Sequence, residues 1–288
     1  MAASDSSLKS SLHIRSNTLP SAPHPLVSQF EEHLNRLKSS ESASSSQSLK
    51  LSGLQDLHDC IDKVLQLPIT QQDFAREFSN KGVDDLLDGS LRLLDVCSIA
   101  KDFLLQSKES LQELQSIIRR RRGAKNGLAI EVGEYLASRK KMKNAIFKVL
   151  GSFKGRKMEL IVSSSNKEND TLSMLKEAEA VTLSTLETLM SFISDTKGQS
   201  KQWRWSAISK LMQPKRVACD SQEMVTNEFK KVDAALKSLM GQKHAFTENF
   251  QGDLENLETC IEDLEIGIEC LSRKLIKTRV SILNIFNN

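Results

Sequence analysis

Residues 225–275 read VTNEFKKVDAALKSLMGQKHAFTENFQGDLENLETCIEDLEIGIECLSRKL, and their apolar spacing decides the fold. Val225, Phe229, Val232, Leu236 and Leu239 follow one another at steps of four and three. Lys243 interrupts the run, while Phe246 and Phe250 keep its spacing. After one further step of four, Leu254, Leu257, Ile261, Leu264, Ile268, Leu271 and Leu275 resume the alternation. This period is a heptad, the mark of helices that share a packing seam, and the extra step of four is a stutter that locally unwinds a supercoil. Gly241 and Gly252 flank the irregular stretch, so a single rod and a hairpin folding back there both fit. The seam is read first as the buried stripe of a bundle within one chain, and second as a pairing surface between two chains.

Helical periods continue upstream. Leu87, Leu91, Leu94, Cys97, Ala100, Leu104, Leu111, Leu114 and Ile118 keep steps of three, four or seven, which predicts one long helix ending near Arg122. Gly123 and Gly127 bracket a turn there, and the segment from Leu128 to Phe153 is expected as the antiparallel neighbour. A loop over Ser163–Asn169, a helix over Thr171–Ile193 and a short helix over Trp203–Met212 follow, with Pro214 separating the last from the heptad region. Nearer the N-terminus, Leu26, Phe30, Leu34 and Leu37 predict a short helix. Ser39–Ser48 has a linker's composition, and a second helix from Leu51 to Leu67 is stopped by Pro68.

Composition agrees with this reading. Aromatic residues are 5% of the chain and only five Pro occur, three of them at Pro20, Pro23 and Pro25. β-Sandwiches want more aromatic and β-branched side chains, so the expected class is all-α: an elongated helical bundle with long C-terminal coiled-coil-like helices. Its organisation is a disordered, Ser-rich N-terminal arm over 1–25 and a bundle over 26–288. The bundle divides into N-terminal helices at 26–67, a long helix and basic hairpin at 83–160, and C-terminal helices at 170–288 with the heptad region at 225–286.

Five Cys cannot all pair within one chain, none lies in a C-x-x-C unit, and no apolar leader opens the sequence, so reduced thiols are expected. No run approaches the roughly 20 apolar residues of a membrane span. A cytoplasmic placement is expected, with the nucleus or the membrane periphery as alternatives. A chloroplast address is less supported, because only Lys9 and Arg15 supply positive charge in the Ser-rich first 30 residues.

Catalytic patterns fail on inspection. GSFKGRKM at 151–158 has three residues between its glycines instead of four, and Met158 stands where a phosphate loop needs Ser or Thr for Mg²⁺. His58 and Cys60 are two apart and point to different sides of a helix. No Glu-x-x-His pair suggests a metal site in a bundle. No catalytic residue, metal or cofactor is assigned, and the chain is read as non-enzymatic.

Charge layout is more informative. Between Arg119 and Lys157 thirteen Lys or Arg face two acids, a net of +11, whereas Asp220–Cys270 holds twelve acids and four Lys, a net of −8. Three readings of the basic hairpin follow. It can pair internally with the acidic helices; it can bind an anionic partner; or Arg119–Arg122 and Arg139–Lys143 can serve as a nuclear import signal. The candidate anion-binding set is Arg119, Arg120, Arg121, Arg122, Arg139, Lys140, Lys141 and Lys143. Anionic lipid is the leading external partner, since each Lys or Arg near such a membrane contributes about 1 kcal/mol. Nucleic acid is disfavoured because aromatic side chains for base stacking are nearly absent nearby. Met142, Ile146, Phe147, Val149, Leu150 and Phe153 also make the segment amphipathic, which suits a calmodulin target or, more simply, a core face. In the arm, Arg15, Ser16, Thr18 and Pro20 form R-S-x-T-x-P. Once Thr18 is phosphorylated, that form is read by 14-3-3 proteins through Arg clusters. Protein partners are therefore expected through the arm, and self-association through the C-terminal helices is the other candidate contact.

The run His13-x-Arg15-Ser16-x-Thr18-Leu19-Pro20-Ser21, with His24 and Pro25 after it, resembles the opening signature of a plant-specific family distantly related to the BYPASS proteins. Leu93-Leu94-Asp95-Val96-Cys97 and the helix end from Leu114 to Arg121 are similar to it as well. The resemblance spans nearly the whole chain and implies a plant helical protein without assigned catalytic residues, associated with root and shoot development. Family members usually carry Ser where this chain has Thr18, which keeps a hydroxyl for a kinase.

Overall fold

Eight helices and no strand make up the described residues of this computed structural model, which are 24–42, 46–77, 80–120, 128–162, 170–195, 227–241 and 248–287. In chain order they are α1 (Pro25–Ser42), α2 (Gln47–Leu65), α3 (Pro68–Glu77), α4 (Asn80–Arg120), α5 (Ala129–Val162), α6 (Asp170–Ser194), α7 (Glu228–Gly241) and α8 (Glu248–Asn287). The 1–25 arm expectation falls on residues outside this set up to position 23, as do the Trp203–Met212 helix and the Ser163–Asn169 loop.

The heptad stretch folds back on itself. α7 and α8 are separate helices that pack together, with the Cys260 thiol facing the Glu228 carboxylate across the pair. Leu254, Leu257, Ile261, Leu264, Ile268 and Leu271 are all fully buried within the one chain, so the seam is a bundle's core stripe. α8 is the central helix. It packs along α4 and α2, and α7 and α3 also touch it. Cross-links set the directions: Lys101 to Glu269, Lys108 to Glu265 and Gln115 to Glu258 make α4 antiparallel to α8. Gln55 to the Gly267 carbonyl, Asp59 to Lys274 and Asp62 to Lys277 make α2 parallel to it. Gly267 permits that closeness, since a Cβ there would stand 2.8 Å from Leu51 Cδ1. Ser107 to Met142 and Ser110 to Ser138 make α5 antiparallel to α4, as expected.

Several expectations need correction. The Ser-rich linker is shorter than its composition suggested: α1 runs on to Ser42, and Ser46 caps α2 by accepting the Leu49 amide at 3.3 Å. Pro68 does not only stop α2; it opens α3, because a missing N–H and a fixed φ suit the first helical position. α5 extends nine residues beyond Phe153, to Val162. In α4 the core face rotates away from the anticipated stripe at its N-terminal end. Leu91 is 47% exposed and Leu94 half-buried, while Leu86, Leu93 and Val96 are inside. Two neighbours cause this: α6 covers one flank of α4 there and α8 the other, so a broader arc than one narrow stripe is buried.

No described helix is long and apolar enough to cross a membrane.

Candidate anion-binding surface

α4 and α5 bring the basic cluster together as a helical hairpin, but the fold divides its cations between interior and surface. Arg139 is 2% exposed and is a correction to its assignment as a surface anion ligand. Its Nη2 donates to the Ile193 carbonyl at the end of α6 at 2.8 Å, and its Nε donates to Asp233 Oδ1 on α7 at 3.3 Å. The guanidinium also lies over the Phe229 ring, 4.7 Å from its centroid. Lys143, one turn on, donates to the other Asp233 oxygen at 2.8 Å. Arg139 and Lys143 therefore hold α5, α6 and α7 in register, and burial pushes the neighbouring Tyr135 hydroxyl well above its usual range. A buried guanidinium is tolerated here because a carboxylate, a carbonyl and an aromatic face all meet it.

Five further cations of the hairpin turn outward. Arg119 and Arg120 are exposed at the end of α4, with Arg120 folding back on the Ser116 carbonyl and hydroxyl. Lys140, Lys141 and Lys148 are exposed on α5, and Phe147 lies among them at 54% exposure. Of the amphipathic anchors, Met142 and Ile146 are core residues, whereas Val149 and Leu150 are only half-buried. Arg121, Arg122 and the phospho-motif residues Arg15, Ser16, Thr18 and Pro20 lie outside the described residues.

The acidic C-terminal section pairs mostly with a different partner than the basic hairpin. Glu262, Glu265 and Glu269 of α8 meet Lys108 and Lys101 in the middle of α4. Only Asp233 of the acidic section reaches the hairpin's α5 cations among the described residues. Sequence reasoning missed Asp233, since it is one of twelve acids in that section and only its contacts set it apart.

Other polar groups are interior and structural. His58 bonds the Thr182 hydroxyl at 3.0 Å, and burial lowers its pKa to about 4 despite the nearby Asp59 carboxylate. It lines a cavity of about 40 Å³ with Ser90, Glu179 and Thr278, room for one or two waters and far below the roughly 300 Å³ of a metabolite pocket. Burial also raises the Glu179 carboxyl, against the opposing pull of Arg92, and Gly89 leaves the space that this carboxylate fills. The Cys97 and Cys260 thiols are pushed up by burial to about 11 and about 12, which keeps them protonated and unreactive. No group of three His, Cys, Asp or Glu among the described residues could hold a metal ion.

No curated protein and no solved structure matches the chain. A family model described as Protein BPS1 matches residues 50–285, from the first turn of α2 almost to the end of α8. The match takes in the hairpin, Asp233 and the α8 seam alike, and it agrees with the resemblance carried by Leu93–Cys97 and the arginine-ended helix. The chain belongs to this plant-specific, BYPASS-related BPS1 family.

Proposed function

We propose that this protein is a non-enzymatic interaction protein of plant root and shoot development, and that it docks on anionic membrane surfaces through the outer face of α5. The developmental role rests on family kinship. The docking surface rests on one observation: with Arg139 and Lys143 bound to Asp233, Arg119, Arg120, Lys140, Lys141 and Lys148 stay exposed, and Phe147 is exposed on α5 with the three lysines. Lys140, Lys141 and Lys148 have no ion-pair partner among the described residues, so no internal contact must be broken to use them. With Arg119 and Arg120 they contribute about 5 kcal/mol at an anionic surface, at about 1 kcal/mol each. Phe147 adds an apolar side chain that enters the headgroup region. That sum gives reversible rather than permanent attachment.

Co-sedimentation with phosphatidylcholine vesicles, with and without phosphatidylserine, tests the proposal at low and at high salt. Binding should need phosphatidylserine, fall steeply with salt, and weaken several-fold in Phe147→Ser. Equal binding to neutral vesicles, or none to anionic ones at low salt, would refute it.

A further inference from the structure

α8 carries a second heptad row on the side away from its buried seam. Glu262, Ile266, Glu269, Arg273, Ile276 and Val280 repeat alternating steps of four and three, and all but the half-buried Glu269 are exposed. Ile266 is 70% exposed, and Ile276 and Val280 are about as open as Leu91. The antiparallel α4 presents a matching outward row of Leu91, Asp95, Ser98, Asp102, Leu105 and Glu109, every one exposed. The contacts of Arg279 with Ser90 and of Lys101 with Glu269 fix the register. Leu91 then stands level with Ile276 and Val280, and Leu105 level with Ile266.

Two apolar spots thus lie two heptads apart along one face, about 20 Å at 1.5 Å per residue. Acidic side chains predominate between and beside them, with Arg273 as the one cation of the two rows, paired to Glu269. Glu262 and Glu269 already have lysine partners, but Asp95, Asp102 and Glu109 have no cation within ion-pair distance among the described residues. Helical spacing on a protein surface is what an incoming helix reads, through anchors at steps of three and four. The unanswered carboxylates set its charge. A second copy of this chain would bring net-acidic rows against each other, and an anionic lipid surface would be repelled.

We propose that the α4–α8 outer face is a docking site for an amphipathic helix of a partner protein, one that flanks its apolar stripe with Lys or Arg. This surface is separate from the α5 face and does not depend on membrane docking.

The test is fluorescence anisotropy of the full chain with a labelled synthetic three-heptad helix, carrying Leu on its apolar stripe and Lys beside it. A counterpart with Glu in place of Lys is the comparison. The Lys-flanked helix should bind at least tenfold more tightly than the Glu-flanked one. Leu105→Ser with Ile266→Ser, and separately Asp95→Lys with Asp102→Lys, should each cost tenfold or more in affinity while circular dichroism melts stay unchanged. Absent binding, binding that ignores the sign of the flanks, or binding untouched by both variant pairs overturns the proposal. So does a dimer in sedimentation equilibrium that dissociates in Leu105→Ser with Ile266→Ser, because that result gives the face to a second copy.

Discussion

Arg139 is one of thirteen cations between positions 119 and 157, and its backbone neighbour Lys140 is exposed, yet its own guanidinium is enclosed by three helices. A charge count treats the two alike. What separates them is helical phase: residue 139 lies on the same arc as Tyr135 and Met142, which are buried, and 140 lies 100° away. Removing one partner of a buried pair leaves a charge without compensation. Arg139→Met should therefore cost about 3–5 kcal/mol in urea unfolding, and Arg139→Met with Asp233→Leu should recover most of that loss. Lys143, a quarter exposed, can then turn to solvent. His58 supplies a second residue-scale prediction. Its folded pKa near 4 lies below the unfolded value near 6.5, so between those values the unfolded chain binds more protons and stability falls as the pH falls. The loss reaches on the order of 3 kcal/mol by pH 4. Chemical denaturation at pH 7 and pH 4 should show that extra drop in the wild type and not in His58→Gln. Glu179, which lines the same cavity, is present in both proteins and enters the comparison equally.

Helices α7 and α8 show how much a period can and cannot say. The alternation of three and four through Leu254–Leu275 marked the core face of α8 correctly, because burial on one side of a long helix leaves no other pattern. Whether the stretch was a rod or a hairpin was not legible, since glycines at 241 and 252 permit a turn without requiring one. α3 was missed because Pro68 serves equally to end one helix and to begin the next. The N-terminal half of α4 was misphased because α6 and α8 bury both its flanks, which widens the apolar arc and hides its centre. For the candidate site, sequence gave the exposed members Arg119, Arg120, Lys140 and Lys141 and could not separate out Arg139, whose burial depends on residues 54 and 94 positions away. The inner and outer rows of α8 make an element-scale prediction. Leu264→Ala should destabilise the protein by about 2–5 kcal/mol, whereas Ile266→Ala, two residues away, should stay within about 0.5 kcal/mol. Equal losses in urea unfolding would mean that the outward row is packed.

Across the whole molecule, the opposing charges of the chain are not a matched pair folded face to face. The acids of α8 are met by lysines from the middle of α4 and the acids of α2 by lysines from the end of α8, so the basic hairpin keeps most of its described charge for the outside. Exposed pairs of this kind contribute at most about 1 kcal/mol each, and they set register more than stability, which the buried α8 stripe supplies. The outcome is a helical body with a cationic face on α5 and an acidic, apolar-spotted face along α4 and α8. The fold splits the basic cluster into internal and external members. Vesicle binding of two variants measures that split most directly: Lys140→Gln with Lys141→Gln and Lys148→Gln, and Arg139→Met with Asp233→Leu. The first should lose affinity for phosphatidylserine vesicles by about 100-fold, from three cations at about 1 kcal/mol each, and the second should bind like the wild type. Equal losses in both variants, or a loss in the second alone, would contradict that split.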